Sequence, residues 1–182
     1  MNKWIFAARL KTLPAAISPV LVGVSLAIYD GKFQYFIGLM TLIAAVLLQI
    51  GANFANDVYD YLNGSDGEDR VGPIRMTQAG LISPKMMLRG VFFVFLLALL
   101  IGVYLTWIGG WPIVLIGLTS IGAALAYTGG AYPLGYHGWG DLMVFIFFGI
   151  IAVPGTYYLQ TGLVSFESII FGFSIGALST AI

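Results

Sequence analysis

Residues 36–58 read FIGLMTLIAAVLLQIGANFANDV, a stretch whose one charged side chain is Asp57. A helix needs roughly 20 mostly apolar residues to cross the hydrocarbon core of a bilayer. Comparable apolar runs occupy residues 13–29, 86–107, 112–127, 142–159 and 168–182. These runs are too long for transmembrane β-strands and lack the alternation of such strands. The sequence therefore predicts an all-α fold, a polytopic transmembrane helical bundle with about six spans.

The composition of the whole chain excludes several classes of protein. Of 182 residues, 8 are Lys or Arg and 8 are Asp or Glu, so that 9% are charged and the net charge is zero. A soluble domain carries about 25% charged residues. Disorder requires few apolar residues and a high net charge, and nucleic-acid binding requires a basic excess. The absence of Cys from the sequence excludes disulfides and thiol nucleophiles. An integral membrane protein with no nucleic-acid partner remains.

The basic residues predict the orientation of the spans. Cytoplasmic loops carry an excess of Lys and Arg. If the spans alternate, Lys32 alone falls on one side of the membrane. The other side holds Lys3, Arg9, Lys11, Arg70, Arg75, Lys85 and Arg89. We therefore expect a multi-pass protein of the inner (cytoplasmic) membrane, with the N-terminus and the 59–85 loop in the cytoplasm.

Five polar residues form a stripe along the last turns of the second predicted span. At about 100° per residue, its five members share an arc of roughly 100° on an otherwise apolar helix. They are Gln49, Asn53, Asn56, Asp57 and Asp60. Ionisable groups at membrane depth normally face the bundle interior or a wet cavity. The alternative is a helix that ends at the membrane interface, with solvated acids in its last turn.

The oxygen atoms of this stripe indicate a divalent cation. Carboxylates three residues apart, beside carboxamide oxygens, suit Mg²⁺, which usually shares its coordination with a substrate phosphate. The loop that follows contains Arg70 and Arg75, and arginines can clamp phosphate oxygens. A structural cation site is the alternative to a substrate site.

Four stretches of the sequence carry a family resemblance. Residues 56–66 (NDVYDYLNGSD), with Arg70 and GPIR at 72–75, resemble the first aspartate-rich motif of the UbiA superfamily of membrane prenyltransferases. Residues 8–14 (ARLKTLP), 77–84 (TQAGLISP) and 127–141 (YTGGAYPLGYHGWGD) are similar to the branch that prenylates 1,4-dihydroxy-2-naphthoate in menaquinone synthesis. In the last stretch, Ala131, Trp139 and Asp141 stand where Pro, Leu and Glu are expected.

The resemblance implies a fold and an activity. The family has about nine helices and a second aspartate-rich motif after the sixth, so residues 1–182 are expected to form a single transmembrane domain that is incomplete at its C-terminus. Either the sequence is incomplete, or the chain lacks half of the magnesium–diphosphate site and is inactive alone. The implied reaction transfers a polyprenyl chain from its diphosphate to 1,4-dihydroxy-2-naphthoate. It requires Mg²⁺, releases the ring carboxylate and gives demethylmenaquinone.

The resemblance also assigns roles to individual residues. Those expected to bind the metal are Asn56, Asp57, Asp60 and Asp66. Those expected to act on the departing diphosphate are Asp57, Asp60, Arg70 and Arg75. Those expected to bind the two substrates are Asn53, Asn56, Lys11, Tyr132 and His137. For His137, the single histidine, the alternative is a position at the membrane interface without a role in binding. For Lys11, the alternative is anchoring of the chain at the membrane edge by its positive charge.

Two other functions compete with this prediction. Within the same family the acceptor can be a hydroxybenzoate, a chlorophyllide or a glycerol phosphate. In a different class, the acids of the stripe can belong to a cation-coupled transporter. A transporter is expected to place acids near mid-membrane on several helices and to show an internal repeat. Here the acids lie at one end of one helix and lead into a loop that contains arginines.

Overall fold

The computed structural model describes residues 2–64 and 75–181, and every regular element in these two ranges is helical. In chain order the helices are α1 (Lys3–Ala7), α2 (Leu13–Tyr29), α3 (Tyr35–Leu62), α4 (Pro84–Gly109), α5 (Trp111–Thr128), α6 (Gly140–Thr161) and α7 (Phe166–Thr180). Short 3₁₀ turns cover Leu10–Thr12 and Leu134–His137. The predicted polytopic helical bundle is confirmed.

Five of the helical segments are long and apolar enough to cross a membrane. They comprise α1 together with α2, and then α3, α4, α5 and α6. Helix α7 corresponds to the sixth predicted span, but it has 15 residues.

Helix α3 is the centre of the packing, and it contacts α2, α4 and α5. Its buried Phe54 and Val58 join Met76 and Met87 in an apolar cluster at the end of the bundle where α3 ends and α4 begins. We call this end the site end. Because Gly51 has no side chain, the ring of Phe95 on α4 can lie where a Cβ atom would be only 2.4 Å away. The sequence of α3 thus brings α4 close to the polar stripe.

At the opposite end of the bundle, polar contacts tie α6 to the connection between α2 and α3. The backbone N–H of Gln34 donates to Oε1 of Gln160 at 2.7 Å, and Nε2 of Gln34 donates to the Gln160 carbonyl at 2.9 Å. The Tyr157 hydroxyl donates to a carboxylate oxygen of Asp30. These bonds fix the relative positions of α2, α3 and α6.

Helix α6 contains a π-helical segment at Phe145–Ile151. The segment comes just before Pro154, which has no N–H and whose ring disfavours an α-helical turn around Ile150. On its outer face, Gly149 lies against α7, where a Cβ atom would be 2.4 Å from the carbonyl oxygen of Gly172. The two helices therefore pack backbone to backbone.

A largely apolar cavity of about 510 Å³ lies among α2, α3, α4, α5 and α6. Along α3 it extends from Thr41 to Asn56, about 22 Å at 1.5 Å per residue. Its apolar end is lined by three buried residues, Leu105, Ile113 and Leu159, which pack in one cluster. Its polar end is at the site end, where the stripe begins.

Candidate functional site

Three members of the polar stripe line the cavity and two do not. Gln49, Asn53 and Asn56 contribute to the cavity wall, together with Tyr127 of α5. The remaining two, Asp57 and Asp60, are buried toward the segment that precedes α4, with 1% and 3% of their surface exposed. This burial contradicts the alternative in which solvated acids end the helix. The predicted stripe is present, and it continues from the cavity wall into the protein.

The first two amides of the stripe hold the turn that precedes α2. Asn53 donates from Nδ2 to the carbonyl of Ala8 and to Oγ1 of Thr12, both at 2.9 Å. Gln49 donates to the same Thr12 oxygen at 3.3 Å. Thr12 in turn donates to the carbonyl of Arg9 at 3.0 Å, and Arg9 has a φ of 50°, in the left-handed region that residues other than glycine rarely adopt. The two amides therefore fix an unusual turn next to the polar end of the cavity.

Asp57 anchors the segment between α3 and α4. Its two carboxylate oxygens accept hydrogen bonds from the backbone N–H groups of Met76 and Thr77, each at 2.9 Å. A carboxylate that accepts from two N–H groups holds the backbone of that segment firmly. This anchoring places the neighbouring Arg75 beside the last turns of α3.

Asp60 is the charged centre of the site. One of its carboxylate oxygens forms an ion pair with the guanidinium of Arg75, and the other accepts a hydrogen bond from the Tyr136 hydroxyl. Arg75 is 8% exposed and also donates to the carbonyl of Asn56 at 2.7 Å. The side-chain oxygen of Asn56 accepts from Thr128 at 2.9 Å. One acid, one amide and one arginine thus meet next to the polar end of the cavity.

The loop between α5 and α6 supplies the aromatic part of the site. The rings of Tyr132 and His137 are stacked, with their centroids 3.6 Å apart, and both side chains are exposed. Nδ1 of His137 lies 2.8 Å from the carbonyl of Pro133. These two predicted residues come together in the loop, and Tyr136 of the same loop reaches Asp60.

The remaining predicted site residues have different positions. Lys11 lies in the turn before α2, with its side chain exposed. Asp66 and Arg70 fall outside the described residues. Within residues 2–64 and 75–181, the structure brings together no group of three or more His, Cys, Asp or Glu side chains that could hold a metal ion. In that part of the chain, the acids that the stripe contributes are Asp57 and Asp60.

The sequence interpretation did not include three polar partners of the stripe. Tyr136, Thr128 and Thr12 each make a hydrogen bond to a stripe residue from a different segment. Tyr136 is next to His137 in the loop that the resemblance identified, which was the one available signal. Because the chain contains 10 Tyr and 13 Phe residues, aromatic character alone could not single it out.

Comparison with known proteins completes this picture. The family model for the UbiA prenyltransferase family matches residues 16–182. The chain belongs to the UbiA prenyltransferase family. It is 38% identical over 180 residues to a 1,4-dihydroxy-2-naphthoate octaprenyltransferase of Mycobacterium tuberculosis, covering 99% of this chain and 61% of the relative.

Two further relatives have the same description. The proteins of Escherichia coli strain K12 and Bacillus subtilis strain 168 are 38% and 32% identical to this UbiA family chain, over 98% and 96% of its length. The chain covers 60% and 56% of these two relatives. It therefore spans about three fifths of the length of the curated relatives that it matches. The predicted family membership is confirmed.

Proposed function

We propose that the full-length protein is a membrane prenyltransferase that moves a polyprenyl chain from its diphosphate to 1,4-dihydroxy-2-naphthoate. The observation that carries this proposal is the continuity of the site. A buried group of acid, amide and arginine side chains adjoins the polar end of an apolar cavity of about 510 Å³. A donor with a charged head and a hydrocarbon tail has this same distribution of polarity. The printed names of the relatives support the naphthoate acceptor.

The donor diphosphate is assigned to the last turns of α3. The donor set there fits Mg²⁺, because the side-chain oxygens of Asn56 and Asp60 are hard ligands one turn apart on the helix. By the family motif, Asp66 joins them. When bound, Mg²⁺ supplies Lewis-acid stabilisation of the diphosphate. The guanidinium of Arg75, already held next to Asp60, supplies fixed positive charge for the same group, and Arg70 is assigned the same role.

The sequence assigned Asp57 to the metal and to catalysis, and the geometry supports a positioning role for it. Both of its carboxylate oxygens are engaged by the backbone of residues 76 and 77. Through this segment, Asp57 fixes the place of Arg75. Asn53 has a comparable role for the turn that contains Arg9 and Lys11.

The reaction balances with these groups in place. The bond between the allylic carbon and the diphosphate oxygen breaks, and its electron pair leaves with the diphosphate. The ring carbon that bears the carboxylate forms the new carbon–carbon bond. The carboxylate then leaves as carbon dioxide, and the electron pair of the broken bond restores the aromatic ring, which gives demethylmenaquinone in its quinol form. We assign the acceptor to the polar end of the cavity, near Lys11 and the stacked rings of Tyr132 and His137. Lys11 carries the charge that an aromatic carboxylate needs.

We further propose that the site end faces the cytoplasm and that the protein lies in the inner membrane. Lys3, Arg75, Lys85 and Arg89 all lie at or beside the site end, whereas Lys32 lies in the connection at the opposite end. Cytoplasmic loops of membrane proteins carry such an excess of basic residues. Both substrates would then be drawn from the cytoplasm and its membrane leaflet.

The experiment that tests this function uses the purified full-length protein in lipid nanodiscs. With a polyprenyl diphosphate, 1,4-dihydroxy-2-naphthoate and Mg²⁺, we expect release of diphosphate and a prenylated product by mass spectrometry. Asp60→Ala should lower the rate at least about 100-fold, the scale of losing one electrostatic group in an active site. Glu167→Gln, at an exposed acid of the opposite end, should leave the rate unchanged.

Other outcomes identify the competing functions. Turnover with a hydroxybenzoate and none with the naphthoate would replace the acceptor and keep the enzyme class. Cation uptake into proteoliposomes, with no diphosphate released under any condition, would replace the enzyme by a transporter.

A further inference from the structure

The loop that connects α5 to α6 is built to lie against the end of α3. A Cβ atom on Gly129 would be 3.0 Å from the ring of Tyr59 on α3, and one on Gly135 would be 2.9 Å from the ring of Tyr127 on α5. Two glycines thus allow the loop backbone to approach closely. In addition, Asn63 at the end of α3 donates to the carbonyl of Thr128 at 2.9 Å. Tyr136 therefore reaches Asp60 from a backbone that is held in place.

The two oxygens of the Asp60 carboxylate have partners of different kinds. The phenol of Tyr136 is neutral and cannot compensate a buried charge, whereas Arg75 is a cation that pairs with it. A phosphate group competes with a carboxylate for arginine, because both accept its two parallel N–H bonds. A neutral phenol is attracted to phosphate less strongly than the guanidinium of an arginine is. A donor diphosphate therefore competes with Asp60 for Arg75, whereas it does not compete for Tyr136 in this way.

From this contrast we propose that Tyr136 is a positioning residue for Asp60. It holds one carboxylate oxygen so that the other faces the divalent cation that accompanies the donor diphosphate. The inference rests on the proposed function and adds to it a residue that the sequence interpretation did not include. Partners that orient a metal-binding carboxylate typically change the metal affinity 10- to 100-fold when they are removed.

Binding of Mn²⁺ in the presence of inorganic diphosphate provides a test that does not depend on turnover. It is measured by electron paramagnetic resonance on the full-length protein. Tyr136→Phe should weaken Mn²⁺ binding about 10- to 100-fold. The matched control is Tyr61→Phe, next to Asp60 in sequence, whose side chain is exposed. This control should change Mn²⁺ binding less than about threefold.

Steady-state kinetics separate positioning from a general loss of structure. In Tyr136→Phe, the Mg²⁺ concentration for half-maximal rate should rise by the same factor as the Mn²⁺ dissociation constant, while kcat at saturating Mg²⁺ falls much less. Equal Mn²⁺ binding in Tyr136→Phe and the unaltered protein, with transfer intact, would overturn the inference and leave the proposed function standing. An equal loss in both tyrosine variants would also overturn it. If the unaltered protein neither binds Mn²⁺ with diphosphate nor transfers a prenyl group, the proposed function fails and the inference fails with it.

Discussion

Asp57 and Asp60 lie one turn apart on α3, yet their carboxylates have different partners. Asp57 accepts from two backbone N–H groups, and Asp60 contacts a guanidinium and a phenol. Hydrogen bonds to the backbone restrain the chain, whereas a charged partner can be exchanged for a charged ligand. We therefore propose different roles for the two acids: Asp57 holds the backbone that shapes the site, and Asp60 binds the ligand.

The separation predicts a distinct effect of Asp57→Asn. The carboxamide can accept one of the two N–H bonds but presents an NH₂ group to the other donor, so a buried N–H loses its partner. We expect a loss of about 1–3 kcal/mol of stability. The Mg²⁺ concentration for half-maximal transfer should stay within about threefold of its original value, because metal affinity is controlled by the residues that hydrogen-bond to a metal ligand. Asp57 instead holds the backbone of Met76 and Thr77. Thermal unfolding and Mg²⁺ titration of the full-length protein measure the two effects. An unchanged melting temperature with a greatly raised Mg²⁺ requirement would show that Asp57 is itself a ligand.

Sequence periodicity was sufficient to predict that the stripe residues share one face of α3. It could not predict how Asp57 and Asp60 divide their roles, because their partners are distant in sequence. Met76 and Thr77 are about 20 residues away, and Tyr136 is 76 residues away. Such pairings depend on the tertiary fold, and the local pattern carries no information about them.

At the scale of whole elements, the apolar runs predicted the five described helical segments that are long and apolar enough to cross a membrane, and the sixth run forms the shorter α7. The structure extends α3 to Leu62, beyond the predicted end at residue 58. Asp60 and Asn56 in these last turns have polar partners in Arg75, Tyr136 and Thr128, whereas Tyr61 and Leu62 beyond them are exposed. The π-helical segment of α6 was also not predicted, since Pro154 is compatible with several local distortions.

The close packing of α6 against α7 predicts a strong effect of Gly149→Ala. The new Cβ atom would be 2.4 Å from the carbonyl oxygen of Gly172 and 2.6 Å from Cα of Gly176. Backbone atoms cannot move aside without separating the helices, so we expect a loss of about 1–3 kcal/mol. The control is Gly122→Ala on α5, where no described atom beyond the neighbouring residues and backbone of the same helix lies within 4 Å of the new methyl group. Thermal unfolding in detergent should show a lower melting temperature for Gly149→Ala and an unchanged melting temperature for Gly122→Ala. Equal melting temperatures would contradict this packing.

At the scale of the whole molecule, charge and polarity are arranged along the bundle axis. Lys3, Arg75, Lys85 and Arg89 lie at or beside the site end, the acid and amide stripe lies just inside it, and the apolar cavity extends toward Leu105 and Leu159. The sequence predicted the first two features, through the positions of Lys and Arg and through the stripe. The cavity could not be predicted, because its wall combines side chains from five helices. The bundle thus places polar side chains and an apolar cavity along one line, an arrangement that suits the donor proposed above.

The most direct test of this arrangement is photo-cross-linking with a prenyl diphosphate that carries a diazirine at the end of its tail. In the full-length protein with Mg²⁺, we predict labels on the residues that line the apolar end of the cavity, namely Leu105, Ile113 and Leu159. Excess unlabelled donor should remove these labels, and Asp60→Ala should reduce them. Labels concentrated instead on the exposed Phe92 and Phe93 of α4, and unaffected by competing donor, would contradict the account.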